Sequence, residues 1–250
     1  MRLSYFFILF FFVVQHKLSA QQVLEKQPLN ELAGYKYKHV AMNADSSGSG
    51  LPIIIGLHWS GSTPDEFAAY LDDFKIPARL ILVQAPYPHK KGFSFFSRQP
   101  KDYYTLPADE KMVVLLSEGE KLSKFIEAIT SLYKPSRKPI IIGASQGGDL
   151  SYVIGARYNH LISQACPLLA TMDNRIIPSG NGQTQNFNPI DVFHGDADPI
   201  VKIDTSRQHV QALKQNNYKV NLHSYKDIKH DIPGEMEKDY IRLIEGVLGN

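Results

Sequence analysis

The sequence is short of cysteine. Cys166 is the single one in 250 residues, which excludes an intramolecular disulfide framework and a multi-cysteine zinc site. Charge of either sign is not in excess. Lys and Arg number 27 and Asp and Glu 25, a formal net charge of +2, without the basic surplus of a nucleic-acid binder. There is one tryptophan, and no apolar run reaches the roughly 20 residues needed to cross a bilayer. What is present is ordinary globular material, 43% hydrophobic and 21% charged, enough for one well-buried α/β domain without a second.

The phenylalanines are unevenly spread. Phe6, Phe7, Phe10, Phe11 and Phe12 fall within Tyr5 to Val14, an unbroken apolar run behind Arg2. A basic residue, a short apolar run and Leu18-Ser19-Ala20 form the pattern of a signal peptide, with Ala20 suited to the last position before cleavage. Leu18 is large for the small-x-small pattern. Residues 1–20 are therefore expected to be a removed leader, and the protein exported to a periplasmic or extracellular location without stable membrane insertion. Arg2 and Lys17 leave with the leader, so the remaining 230 residues balance at 25 basic and 25 acidic side chains. The net charge then says nothing of a substrate.

Residues 21–34 are polar and read as an N-terminal arm, and residues 35–250 as a single domain. Short apolar runs at Leu51–Leu57, Arg79–Val83 and Pro139–Gly143 have the pattern of strands covered on both faces. Tyr35–Met42 alternates, and the NADSSGSG segment after it reads as a hairpin loop to the next strand. Leu161–Cys166, Ile190–His194 and Lys219–Tyr225 are further strands. Helices are expected over Pro64–Phe74, Asp109–Tyr133 with a break or kink at Gly119, Ser145–Arg157, Lys202–Gln215 and Gly234–Leu248. Pro178–Pro189 reads as a surface loop. Strands alternating with helices mean a mostly parallel sheet flanked by helices, here with an antiparallel edge strand.

Gly143-Ala144-Ser145-Gln146-Gly147 carries the strongest chemical signal. It joins a buried strand to a helix, the context that a G-x-S-x-G nucleophile turn requires. A serine hydroxyl needs a base, and the base an orienting acid. Asp196 and Asp198, in the His194-Gly195-Asp196-Ala197-Asp198-Pro199-Ile200-Val201 segment after a strand, both stand where that acid is needed. Asp196 reads better as a turn residue. Among the later histidines, His209 falls within a helix and His223 within a strand. His230 follows the last strand in a loop, the place from which an imidazole can reach the sheet edge.

These motifs resemble the phospholipase/carboxylesterase family of α/β-hydrolases, which includes the acyl-protein thioesterases. The resemblance runs from about Leu51 to the C-terminus and implies an α/β-hydrolase fold and a serine esterase without a cofactor or metal. It identifies Ser145 with the nucleophile, Asp198 with the acid and His230 with the base. The family's L-H-G-x-G segment reads Leu57-His58-Trp59-Ser60-Gly61 here, which assigns oxyanion-hole N–H groups to Ser60 and Gln146. Trp59 replaces a glycine. Tryptophan cannot take glycine-only backbone angles, so either the loop differs and Trp59 walls the acyl or leaving-group site, or the indole packs beneath the loop. Phe93 and Phe95, in an aromatic stretch, are the remaining candidates for substrate contact, with Tyr103 and Tyr104 nearby.

The expected partner is a small-molecule ester, with no nucleic acid; oligomeric state is left open. Three other readings fit parts of the pattern. A polyester depolymerase or feruloyl-esterase-like enzyme would use the same fold and is also exported. A serine peptidase of the prolyl-oligopeptidase type would normally add a propeller domain, for which the chain has no room. A non-catalytic binding protein on a hydrolase scaffold is opposed by the ordered Ser, Asp and His motifs. Cleavage after Ala20 predicts a processed chain beginning at Gln21. Mass spectrometry of protein recovered outside expressing cells checks this, and an intact Met1 would contradict it.

Overall fold

The computed structural model describes residues 22–23, 27–44, 50–178 and 186–249. The leader segment, the centre of the NADSSGSG loop and most of the Pro178–Pro189 loop lie outside the described residues. Among the described residues, no helix is long and apolar enough to cross a membrane.

The strands are β1 (Asn30–Leu32), β2 (Tyr35–Met42), β3 (Ile53–Leu57), β4 (Ala78–Gln84), β5 (Tyr87–His89), β6 (Gly92–Ser94), β7 (Ile140–Ala144), β8 (Gln164–Leu168), β9 (Ile190–Gly195) and β10 (Val220–Tyr225). Among the described residues the longer helices are α1 (Pro64–Ala68), α2 (Ala108–Tyr133), α3 (Gln146–Arg157), α4 (Ile203–Gln215) and α5 (Gly234–Gly249). Eight strands form one sheet in the order β1-β2-β4-β3-β7-β8-β9-β10, and β5 and β6 form a separate hairpin. From β4 to β10 every pairing is parallel. The pairings of β1 with β2 and of β2 with β4 are antiparallel. The expected α/β architecture with an antiparallel edge is what forms.

Each βα unit buries its apolar run twice over. Ile53 and Ile55 of β3 and Ile141 of β7 face one core, with Phe125 of α2 and Leu150 and Val153 of α3. Ile54, Ile140 and Ile142 face the other, with Phe67 of α1 and Tyr240 and Ile244 of α5. Alternate residues serving opposite faces, both covered, is why these strands read as continuous apolar runs. Cys166 is fully buried in β8. Burial pushes its thiol well above the ordinary value, and the thiolate needed for reactivity is suppressed.

Four expectations of the fold need correction. The NADSSGSG segment does not join neighbouring strands, because β2 pairs with β4 and not with β3. Within the stretch read as an arm, Asn30–Leu32 is a strand, turning through Ala33 and Gly34 at positive φ onto β2. The helix from Pro64 is α-helical to Ala68 and then tightens into a 3₁₀ turn over Ala69–Leu71. Its start is as read: Thr63 accepts from the Glu66 N–H and Pro64 occupies the first turn.

Gly119 neither breaks nor kinks its helix, since α2 runs unbroken for 26 residues. Its role is close approach: a Cβ there would sit 2.4 Å from Val153 Cγ1 on α3. Gly119→Ala is expected to cost about 1–3 kcal/mol by overpacking, despite the better helix propensity of alanine. Val153→Ala in the same chain should recover part of that loss. Urea unfolding of the single and double variants checks the coupling; a Gly119→Ala chain as stable as wild type would contradict it.

Candidate active site

Strand order places the site. The chain moves from β3 to β4 on one side, then returns to lay β7 on the other side of β3. Such a switch point opens a crevice beyond the carboxyl ends of the strands. Leu57 ends β3 and leads into His58-Trp59-Ser60; Ala144 ends β7 and leads into Ser145. The ends of β9 and β10 lead into Asp198 and His230.

Ser145 has φ 51° and ψ −113°, a strained geometry for a residue with a side chain. Two glycines allow it. A Cβ on Gly143 would lie 2.3 Å from the Gly147 carbonyl oxygen, and one on Gly147 2.2 Å from the Leu57 carbonyl oxygen. The Ser145 N–H donates to Leu168 O at 2.9 Å, tying the turn to β8. Gly148 lets α3 pack closely on that strand end, its absent Cβ facing Ala170 and Leu168.

His230 Nδ1 is 2.7 Å from Asp198 Oδ2, and its Nε2 is 3.3 Å from Ser145 Oγ. The carboxylate accepts, so Nδ1 carries the proton and Nε2 faces the serine with a lone pair. Asp198 Oδ1 accepts from the Ile200 and Val201 N–H groups at 2.8 and 3.0 Å. These bonds compensate burial of a carboxylate that is 4% exposed. His194, also buried, donates from Nε2 to Val201 O at 2.7 Å and accepts at Nδ1 from Ser206. Desolvation lowers its pKa. Asp196 is a turn residue, accepting from the Asp227 N–H at 2.7 Å. That bond, and Ala197 N–H to Ile228 O, hold the Asp198 loop against the His230 loop. Gly195 permits the contact, for a Cβ there would meet Ile228 O at 2.2 Å.

Beside Ser145 lies a cavity of ≈ 230 Å³ lined by Trp59, Ser60, Tyr70, Leu169, His230 and Ile232, among others. Trp59 both walls this cavity and packs, with its ring edge-on to Phe67 and Tyr70 at 6.2 and 5.6 Å. It avoids the left-handed region, and Gly61 takes φ +83° instead. His58 fastens the loop from below, its Nδ1–H donating to Trp59 O at 2.7 Å and its Nε2 accepting from the Ala85 N–H at 3.1 Å. Ser60 opens onto the cavity, and its buried hydroxyl has no hydrogen-bond partner among the described residues.

Phe93 and Phe95 are elsewhere. Phe95 is fully buried with its ring 5.2 Å from His58. The Phe93 backbone pairs with Gly61 and Ser62 and anchors the Trp59 loop. The Gln146 side chain explains this placement: its Oε1 accepts from the Phe95 N–H and Ser94 hydroxyl, and its Nε2 donates to Tyr104. The aromatic stretch therefore supports the site from behind. The contacts that sequence reading missed are Tyr70, Leu169 and Ile232, single apolar residues on three separate elements with no motif around them. His209 and His223 lie away from Ser145, bonded to the Thr171–Met172 segment and to Asp191 respectively. Among the described residues, no group of three His, Cys, Asp or Glu residues is placed to hold a metal.

The sequence model of the phospholipase/carboxylesterase family matches residues 96–247, a segment holding Ser145, Asp198 and His230. The chain belongs to the phospholipase/carboxylesterase family. The Leu57–Gly61 segment precedes the match. Acyl-protein thioesterase 1 of Mycosarcoma maydis is 28% identical over 120 residues, 46% of this chain and 50% of that protein. The chain thus spans about half the length of that curated relative. In fold, it is similar to a carboxylesterase from Mesorhizobium loti, with TM-score 0.69 and 17% identity over 88% of this chain and 98% of the other. The Bacillus cereus carboxylesterase gives 0.65 and 20%, over 84% and 94%. The fold is that of the α/β-hydrolases.

Buried histidines are expected to make stability pH-dependent. Desolvation lowers His58 and His209 from 6.5 to about 4. Between these values the unfolded chain binds protons that the folded chain refuses. The contribution is complete above the unfolded value and is lost as pH falls toward 4. Urea unfolding between pH 7.5 and 5 should show falling stability, with a shallower slope in His209→Gln. A flat profile for the wild type would contradict the assignment.

Proposed function

We propose that this protein is an exported serine hydrolase that cleaves carboxylic esters and thioesters through an acyl-enzyme. The observation that carries the reading is the hydrogen-bonded chain from Asp198 through His230 to Ser145, with the serine on a strained turn at the sheet's carboxyl edge. Family membership supports ester hydrolysis as the reaction class. The apolar N-terminal segment supports export.

In the first step Ser145 Oγ attacks the substrate carbonyl while His230 Nε2 takes the hydroxyl proton. Asp198 holds the imidazole in orientation and stabilises the imidazolium that forms. The carbonyl oxygen becomes an oxyanion, held by the N–H groups of Gln146 and Ser60, with the positive end of α3 behind it. Collapse of the tetrahedral intermediate expels the alcohol or thiol, which leaves with the proton from His230. Water then attacks the acyl-enzyme with His230 again as base, releasing the acid and restoring Ser145. Removing one oxyanion donor typically costs about 10² to 10³ in turnover. The small cavity walled by Trp59, Tyr70, Leu169 and Ile232 suits a short apolar acyl or alcohol group.

Ser145→Ala should abolish turnover of a short-chain p-nitrophenyl ester, and Asp198→Asn should lower kcat by about 10⁴ through the wrong imidazole tautomer. Full residual activity in Ser145→Ala would overturn the reading.

A further inference from the structure

A second cavity of ≈ 320 Å³ has Asp149 among its lining residues. Asp149 stands four residues after Ser145 on the first turn of α3 and is 9% exposed. The cavity wall is apolar and aromatic: Tyr103, Met112, Leu115 and Met172, all buried. Tyr103 is held rigidly, its ring stacked on Phe96 at 4.1 Å.

Among the described residues the carboxyl has no cationic partner. Oδ1 accepts from the Thr171 N–H at 2.9 Å, the Asp149 N–H donates to Ser145 O at 2.8 Å, and among the described residues no further hydrogen bond or ion pair reaches the carboxyl. The two charged residues at the rim do not supply one. Asp173, a second acid, is engaged with Arg175, and Lys111 lines the cavity without an ion pair to Asp149 among the described residues. A buried carboxylate without a cationic partner is costly, and burial pushes this one up to about 8. A cation in the cavity would stabilise the ionised carboxylate.

An acid, an aromatic ring and polarisable thioethers around one small space are the surroundings that favour an ammonium on an apolar body. We propose that this cavity binds the ammonium end of a small organic cation, with Asp149 as its carboxylate partner and Tyr103, Met112 and Met172 as its walls. Binding needs no turnover, so the proposal stands apart from the esterase reading.

The test is calorimetric titration of the full chain with n-butylammonium, and with n-pentanol as a neutral probe of similar size. Saturable n-butylammonium binding is expected, at least tenfold weaker in Asp149→Asn and in the cavity-filling Met112→Trp, and unchanged in Ser145→Ala. The asparagine keeps the acceptor for Thr171, and Met112→Trp reads the site independently if the asparagine variant fails to fold. No saturable binding, equal affinity in Asp149→Asn, or n-pentanol binding as tightly as n-butylammonium would overturn the proposal.

Discussion

The turn at Ser145 is the constraint on which the rest of the structure depends. A serine with φ 51° is stable only if its surroundings leave no alternative. They do so by backbone contact: Gly147 lies against the Leu57 carbonyl, Gly143 against Gly147, and Ser145 N–H on Leu168 O. Three adjacent parallel strands thus meet within one turn. The same contacts bring the Trp59 loop beside the serine, because that loop leaves β3 where Gly147 touches it. A larger residue at either glycine would separate strands, not merely crowd a loop.

Around that turn, the polar groups are arranged to remain neutral except where charge is useful. His58, His194 and His209 are buried, and each has both ring nitrogens hydrogen-bonded. Their pKa values are lowered, so they act as fixed dipoles that brace loops. His230 lies between the Asp198 carboxylate and the Ser145 hydroxyl. The carboxylate itself is fixed by the N–H groups of Ile200 and Val201, and His194 holds the Val201 carbonyl in turn. Order therefore runs inward from buried neutral groups to the one imidazole that faces Ser145.

Much of this was legible because it is local. Continuous apolar runs marked the covered strands, and G-x-S-x-G between strand and helix marked the turn. The sheet order was less legible, since pairing of β2 with β4 is decided by long-range register and not by the loop after Met42. The role of Gly119 was misread for a related reason: the neighbour that demands its small size, Val153, is 34 positions away in sequence. Phe93 and Phe95 looked like pocket residues by composition, yet the Gln146 amide draws that segment behind the site. Tyr70, Leu169, Ile232 and Asp149 carry no motif, and only the packing of separate elements shows what they line.

The proposed mechanism requires this geometry to make one serine hydroxyl nucleophilic. A fluorophosphonate probe reads that property directly, without knowledge of the substrate. Peptide mapping of the labelled chain should place a single adduct on Ser145, and His230→Ala should abolish the labelling. An unlabelled wild-type chain, or an adduct on another residue, would contradict the account.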